Sequence, residues 1–126
     1  MAIITLSNGK RVANFSSPHP FTFTDGSVLP AVSNEEAERL KVDFIEKPFG
    51  HKGDIELLFS LSEAVQASMS EWLKLWGAGQ VDVVFVPLPM LTALKEYGLN
   101  IRTSPFRAVR IEDRIKKLIS IDKQCI

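Results

Sequence analysis

The sequence predicts an α/β domain, with N-terminal β-hairpins and a short helix followed by a βαβαβ unit built on a parallel sheet. Three observations predict it. A turn scheme repeats within the first thirty residues, apolar runs alternate with helix-period segments in the second half, and one run, "VDVVFV" (81–86), is apolar at nearly consecutive positions. The alternative with the same elements is an α+β fold, in which the hairpins join the one sheet and make it mixed. At 126 residues the chain has the length of a single domain. Within it, 1–45 read as a hairpin and short-helix lobe and 54–126 as the βαβαβ core with a basic C-terminal tail.

The repeated scheme lies in "ITLSNGKRV" (4–12) and "FTFTDGSVL" (21–29): apolar, Thr, apolar, hydroxyl, Asn or Asp, Gly, then a return strand. Asn-Gly and Asp-Gly tolerate positive φ at both central positions of a type I′ turn, whose twist suits paired strands, so two successive hairpins are expected. "SSPHPF" between them is a proline-punctuated connection. In "SNEEAERLKV" (33–42), Ser33 stands three residues before Glu36, the capping-box spacing that starts a short helix. "EKPFGHKGD" (46–54) collects Gly, Pro and charge and reads as a loop.

Beyond it, "DIELLF" (54–59) leads to a helix from Leu61 to about Trp76, 81–86 to a helix from about Leu88 to Tyr97, and "FRAVRI" (106–111) follows. Parallel strands joined by helical crossovers satisfy this order. The strand 81–86 belongs at the centre, because its neighbours alternate charged with apolar residues and it does not. With sequential strand order both helices share one face, and the hairpins or a partner chain must cover the other. The end, "EDRIKKLISIDKQCI", allows either a helix or a final strand.

Formal net charge is zero, but residues 1–99 hold 8 Lys+Arg against 12 Asp+Glu, and residues 100–126 hold 7 against 3. The body is acidic and the tail basic. No run is long and apolar enough for a bilayer span, and no basic-then-apolar leader pattern opens the chain, so no membrane and a cytoplasmic setting are expected. Cys125 is the sole cysteine, which rules out an internal disulfide and a multi-cysteine zinc site. No cofactor is expected.

A strand-to-helix join often binds anions through free helix amides, but here it is "PLP": Pro87 and Pro89 carry no N–H. The preceding join, "FSLSEA", pairs Ser60 with Glu63 at capping-box spacing, which satisfies the amides internally. The tail's Arg107, Arg110 and Arg114 are the anion candidates. Interleaved Glu112, Asp113 and Asp122 favour a solvated face, and nucleic acid is not the expected partner. His19 and His51, with Asp25 and Asp54, lie in loops where proton-transfer groups are often held, yet they define no constellation. Trp72 and Trp76, one helical turn apart, belong to an apolar arc of roughly 160°, wider than the roughly 100° stripe that faces one core. Core packing or a homo-oligomer interface both account for it.

These residues predict a non-catalytic binding or assembly domain that works through protein contacts, with a homo-oligomer as the expected assembly. The alternative is a small-molecule enzyme or ligand sensor with its site at the carboxyl ends of the parallel strands, where open sheets place ligands. Ser60, Ser62, Leu88, Asp25, His19 and Arg110 are its candidates.

Overall fold

The computed structural model describes residues 3–41, 43–48, 55–60, 62–113 and 115–125. In chain order these form β1 (Ile3–Thr5), β2 (Arg11–Asn14), β3 (Phe21–Thr22), β4 (Val28–Leu29), α1 (Asn34–Arg39), β5 (Asp43–Pro48), β6 (Ile55–Ser60), α2 (Glu63–Gly77), β7 (Val83–Phe85), α3 (Leu88–Tyr97), a 3-10 turn (Ile101–Thr103), β8 (Phe106–Asp113) and β9 (Leu118–Cys125). One mixed sheet carries β1-β2-β7-β8-β9, and β3-β4 and β5-β6 form separate two-stranded sheets. β2, β7 and β8 run parallel, while β1 and β9 run antiparallel at the edges.

β7 is the central strand, as its apolar run predicts. Its parallel neighbour, however, is β2 from the first hairpin and not residues 54–59. Consecutive strands with a short connection favour pairing with each other, and β6 does so with β5 from Asp43↔Ser60 to Pro48↔Ile55. The predicted loop 46–54 therefore begins as strand through Pro48, and its residues 49–54, with His51 and Asp54, lie outside the described residues. "LISI" belongs to β9, which resolves the C-terminal ambiguity in favour of a strand.

The two repeated turns share one geometry, and it is not type I′. Gly9 N–H donates to Leu6 O and Leu6 N–H to Lys10 O, at 2.9 and 2.8 Å; Gly26 donates to Phe23 O and Phe23 to Ser27 O, at 3.0 and 2.9 Å. Only the glycines, Gly9 at φ 86° and Gly26 at φ 87°, have positive φ in these turns. This is the longer hairpin loop closed by a left-handed glycine. The Asn8 and Asp25 side chains accept from Lys10 N–H at 3.0 Å and Ser27 N–H at 2.9 Å.

Side-chain alternation along β7 divides the interior into two layers. Val84 and Val86 face the helices, where Val65, Met69 and Trp72 of α2 meet Met90, Leu91 and Leu94 of α3. Val83 and Phe85 face the other way, into a layer closed by Phe23 and Leu29 of the second hairpin, with Leu6, Val12 and Ile119. Both helices thus lie on one face and a hairpin covers the opposite one. Phe21 and Phe23 stack beside Phe85 with ring centroids 6.1 and 5.8 Å away. Phe23 also bridges to Ile119, which ties the hairpin to the far edge of the sheet.

Caps set the helix ends. Ser33 Oγ accepts from Glu36 N–H at 3.2 Å. α2 starts later than predicted, because Ser62 rather than Ser60 is its cap, accepting from Val65 N–H at 3.2 Å. α3 stops at Gly98, whose φ of 107° lets Leu99 N–H return to Leu94 O at 3.1 Å, a closure that favours glycine.

Candidate functional site

The carboxyl ends of β2 and β7 lead into two proline-bearing segments, and grooves lie beside them. After β2 the chain turns through Phe15–Pro18. Asn14, the last residue of β2 and only 6% exposed, holds this bend. Its Oδ1 accepts from Ser17 N–H at 2.8 Å, and its Nδ2 donates to Ser17 O at 2.9 Å and Pro30 O at 3.1 Å. Val32 N–H adds a bond to Ser17 O at 2.9 Å. The bend is thereby fastened to the segment that leads into α1.

After β7, Pro87 serves as the N-cap residue of α3 without a side-chain cap, and Pro89 follows within the first turn. Between the two proline segments and α1 runs a groove of about 590 Å³, lined by the apolar Pro18, Ala37, Leu40, Pro87, Pro89 and Met90 together with Ser16 and Asn34. Glu38 and Lys41 stand on its rim and pair with each other at 2.9 Å. On the other side of Pro87 a smaller groove of about 340 Å³ is lined by Ser17, Phe21, Val86, Leu88, Ala108 and Val109. Both surfaces are apolar. The missing N–H groups that weaken the join as an anion site suit it to an apolar occupant.

The six residues of the small-molecule alternative do not form one constellation. Leu88 lines the smaller groove and is 64% exposed. Ser62 is committed to capping α2, and Ser60 pairs with Asp43 at the end of β6, outside the parallel sheet. His19 is exposed, with its backbone held by Ser17 Oγ on both sides. Arg110 lies on β8 and is exposed. Asp25 lies at the opposite, amino end of the strands, where its carboxylate accepts from Ser7 N–H at 2.8 Å as well as from Ser27 N–H. These two amides hold its pKa at about 2. The carboxylate thereby acts as a clamp that joins the two repeated turns.

Asp82 is a second clamp at that end. Its carboxylate accepts from Arg11 N–H at 2.8 Å and from the Arg11 guanidinium through two 3.3 Å contacts, which lower its pKa and fasten the start of β2 to β7. Among the anion candidates, Arg107 is half-buried and spends Nη1 on three carbonyls, those of Ile101, Ser104 and Phe106 at 2.7, 2.9 and 2.6 Å. Burial pushes its pKa down, and it clamps the turn before β8. Arg114 lies outside the described residues.

Trp72 is 2% exposed and fills the helix-side core, whereas Trp76 is 37% exposed. The broad apolar arc of α2 is used by the core through Val65, Met69 and Trp72, with Leu73 and Leu75 packed beside them, and Trp76 is left at the surface. No cluster of His, Cys, Asp and Glu among the described residues could hold a metal ion. No described helix is long and apolar enough to cross a membrane.

Asn14, Pro18 and Leu40 shape the larger groove without standing out in the sequence. The signal was present in part: an Asn directly after an apolar strand and before "FSSPHP" is a natural bend-former. Its second partner, Pro30, is sixteen residues away, which no local pattern encodes. No protein-family model, curated protein or solved structure matches the chain.

Proposed function

We propose that this chain is a non-catalytic binding domain that takes up an apolar segment of another protein in the groove between Pro18, α1 and the start of α3. The observation that carries this reading is the groove's lining. Six apolar residues from three separate segments converge there, with Ser16 and Asn34 as the uncharged polar members of the lining, and the charges of Glu38 and Lys41 offset each other. Burial of such a surface is driven by apolar area rather than by a charge or an acid-base group. The prolines make it rigid, so little ordering of the groove opposes binding.

A second reading follows from the groove's size. A cavity of about 590 Å³ lies within the range of roughly 300–1,000 Å³ typical of small-molecule sites, so an apolar small ligand is the alternative occupant.

The test is selection of a random peptide library against the wild type with counter-selection on A37R, which places a charged side chain on the groove floor without touching the core. Apolar peptides that bind the wild type and lose at least about tenfold affinity for A37R, about 1.4 kcal/mol, are expected. An apolar fluorescent dye displaced by A37R, with no peptide enriched, would shift the reading to a small ligand. Peptides indifferent to A37R would rule the groove out as the binding surface.

A further inference from the structure

A cavity of about 200 Å³ lies where the end of β2, the segment before α1 and the side of α2 meet, lined by Asn14 and Phe15, by residues 30–33, by Glu36 and by Trp72. It is distinct from the apolar groove. α1 turns Ala37 and Lys41 toward that groove, whereas Glu36, with the cap residue Ser33, borders this cavity. Its volume corresponds to roughly seven waters at about 30 Å³ apiece, which suits a ligand the size of an amino-acid amide.

Trp72 is 2% exposed. An indole N–H can only donate, and a buried one ordinarily has an acceptor. Among the described residues no group accepts from it, yet no fully enclosed side-chain nitrogen or oxygen there lacks a partner. The N–H therefore lies on the small part of Trp72 that solvent reaches, and Trp72 meets open space at this cavity. A donor on a side chain so deeply buried is left for something that enters from outside.

Glu36 is the one charged residue of the lining. Its side chain is 39% exposed, and Arg39 Nη2 stands 3.9 Å from its Oε1, too far for a hydrogen bond. The carboxylate thus retains its capacity to accept. Ser33 Oγ accepts from Glu36 N–H at 3.2 Å and keeps its own hydrogen to donate. Phe15, 1% exposed, and Val32 add apolar wall. Glu36 opposes an anion here, as does the excess of 12 Asp+Glu over 8 Lys+Arg in residues 1–99.

We infer that this cavity binds a small ammonium ligand that also carries a carbonyl or hydroxyl oxygen. The ammonium sits at Glu36, and the oxygen accepts from Trp72 Nε1–H and Ser33 Oγ–H. A free amine of this kind and the first residue of a polypeptide, with its α-ammonium and first carbonyl, share that chemistry.

The experiment follows the indole N–H signals of the full chain by ¹⁵N NMR, assigned with W76F, during titration with glycinamide, triglycine amide and N-acetylglycinamide. Glycinamide is expected to shift the Trp72 signal saturably and leave that of Trp76 in place. E36Q, and separately the loss of the ammonium in N-acetylglycinamide, should each weaken binding by about tenfold or more. E36Q retains the backbone N–H that Ser33 caps, so α1 keeps its start. W72F removes the donor but keeps a ring in the core, and should weaken glycinamide about fivefold, read from the backbone amides of Ser33 and Glu36. If W72F does not fold, E36Q and the acetylated probe decide.

Triglycine amide binding as well as glycinamide would support a chain terminus as the source, and glycinamide binding alone would support a free amine. A Trp72 signal unmoved at tens of millimolar glycinamide would overturn the proposal. So would a shift indifferent to both E36Q and acetylation. A37R, which tests the apolar groove, should leave this titration unchanged, so the two readings fail separately.

Discussion

Replacing Asp25 by Asn tests whether one carboxylate holds the two repeated turns together. In the native chain its two oxygens accept from Ser7 N–H at 2.8 Å and Ser27 N–H at 2.9 Å. The amide of Asn keeps one acceptor, for Ser27, and turns an N–H₂ toward the Ser7 N–H, so donor faces donor. The fall in pKa from 3.8 to about 2 corresponds to roughly 2 kcal/mol if counted whole. Solvent reaches the half-buried carboxylate and screens it, which leaves about 1 kcal/mol. The sign follows from the depressed value. The stabilisation is complete above the ordinary pKa of 3.8 and is lost as pH falls through about 2. Urea denaturation of wild type and D25N at a series of pH values measures it. A difference of about 1 kcal/mol at pH 7, shrinking steadily below about pH 4 down to the lowest pH at which the wild type folds, is expected. A difference that is absent at neutral pH, or that does not change with pH, would refute the turn-clamp reasoning.

Two further perturbations separate the roles assigned to other residues. N14A should cost about 2–3 kcal/mol, because it strips partners from Ser17 N–H, Ser17 O and Pro30 O in a buried place; amide exchange at Ser17 and Val32 should accelerate more than at the β7 core, and uniform acceleration would deny Asn14 a specific hold on the bend. W72A should cost about 3–5 kcal/mol through the cavity it leaves, while W76A should stay within about 1 kcal/mol. Equal costs in thermal or urea unfolding would contradict the placement of one tryptophan in the core and the other at the surface.

The fold was most legible where a physical rule acts over a short stretch. The apolar run at 81–86 declares a strand covered on both faces, and the alternation of Val83 and Phe85 with Val84 and Val86 then serves two core layers. Pro87, Pro89 and Gly98 bound α3 as their backbone preferences require. What stayed hidden was the choice between partners. β2 and β6 are both short strands able to pair, and only the antiparallel match of β6 with β5 leaves β2 to flank β7. The turn type departs from expectation because Asn8 and Asp25 accept hydrogen bonds with their side chains and leave positive φ to the glycines alone.

The candidate site shows the same division. The sequence places Pro87 and Pro89 at the carboxyl end of the central strand, where an occupant would have to be apolar or be held by side chains from elsewhere. The opposite wall, Pro18 with Ala37 and Leu40, comes from segments whose approach depends on Asn14 reaching Pro30. Asp25 and Arg107 look like site residues because they carry charge, but their charges are consumed by nearby backbone groups. Only the fold reveals those partners.

The most direct test of groove binding is an amide chemical-shift map recorded with an apolar peptide from the selection. Perturbations concentrated at Ser16, Ala37–Lys41 and Leu88–Met90, and abolished in A37R, are the expected result. Perturbations that instead gather at the amino ends of the strands, around Ser7, Asp25 and Asp82, would contradict it.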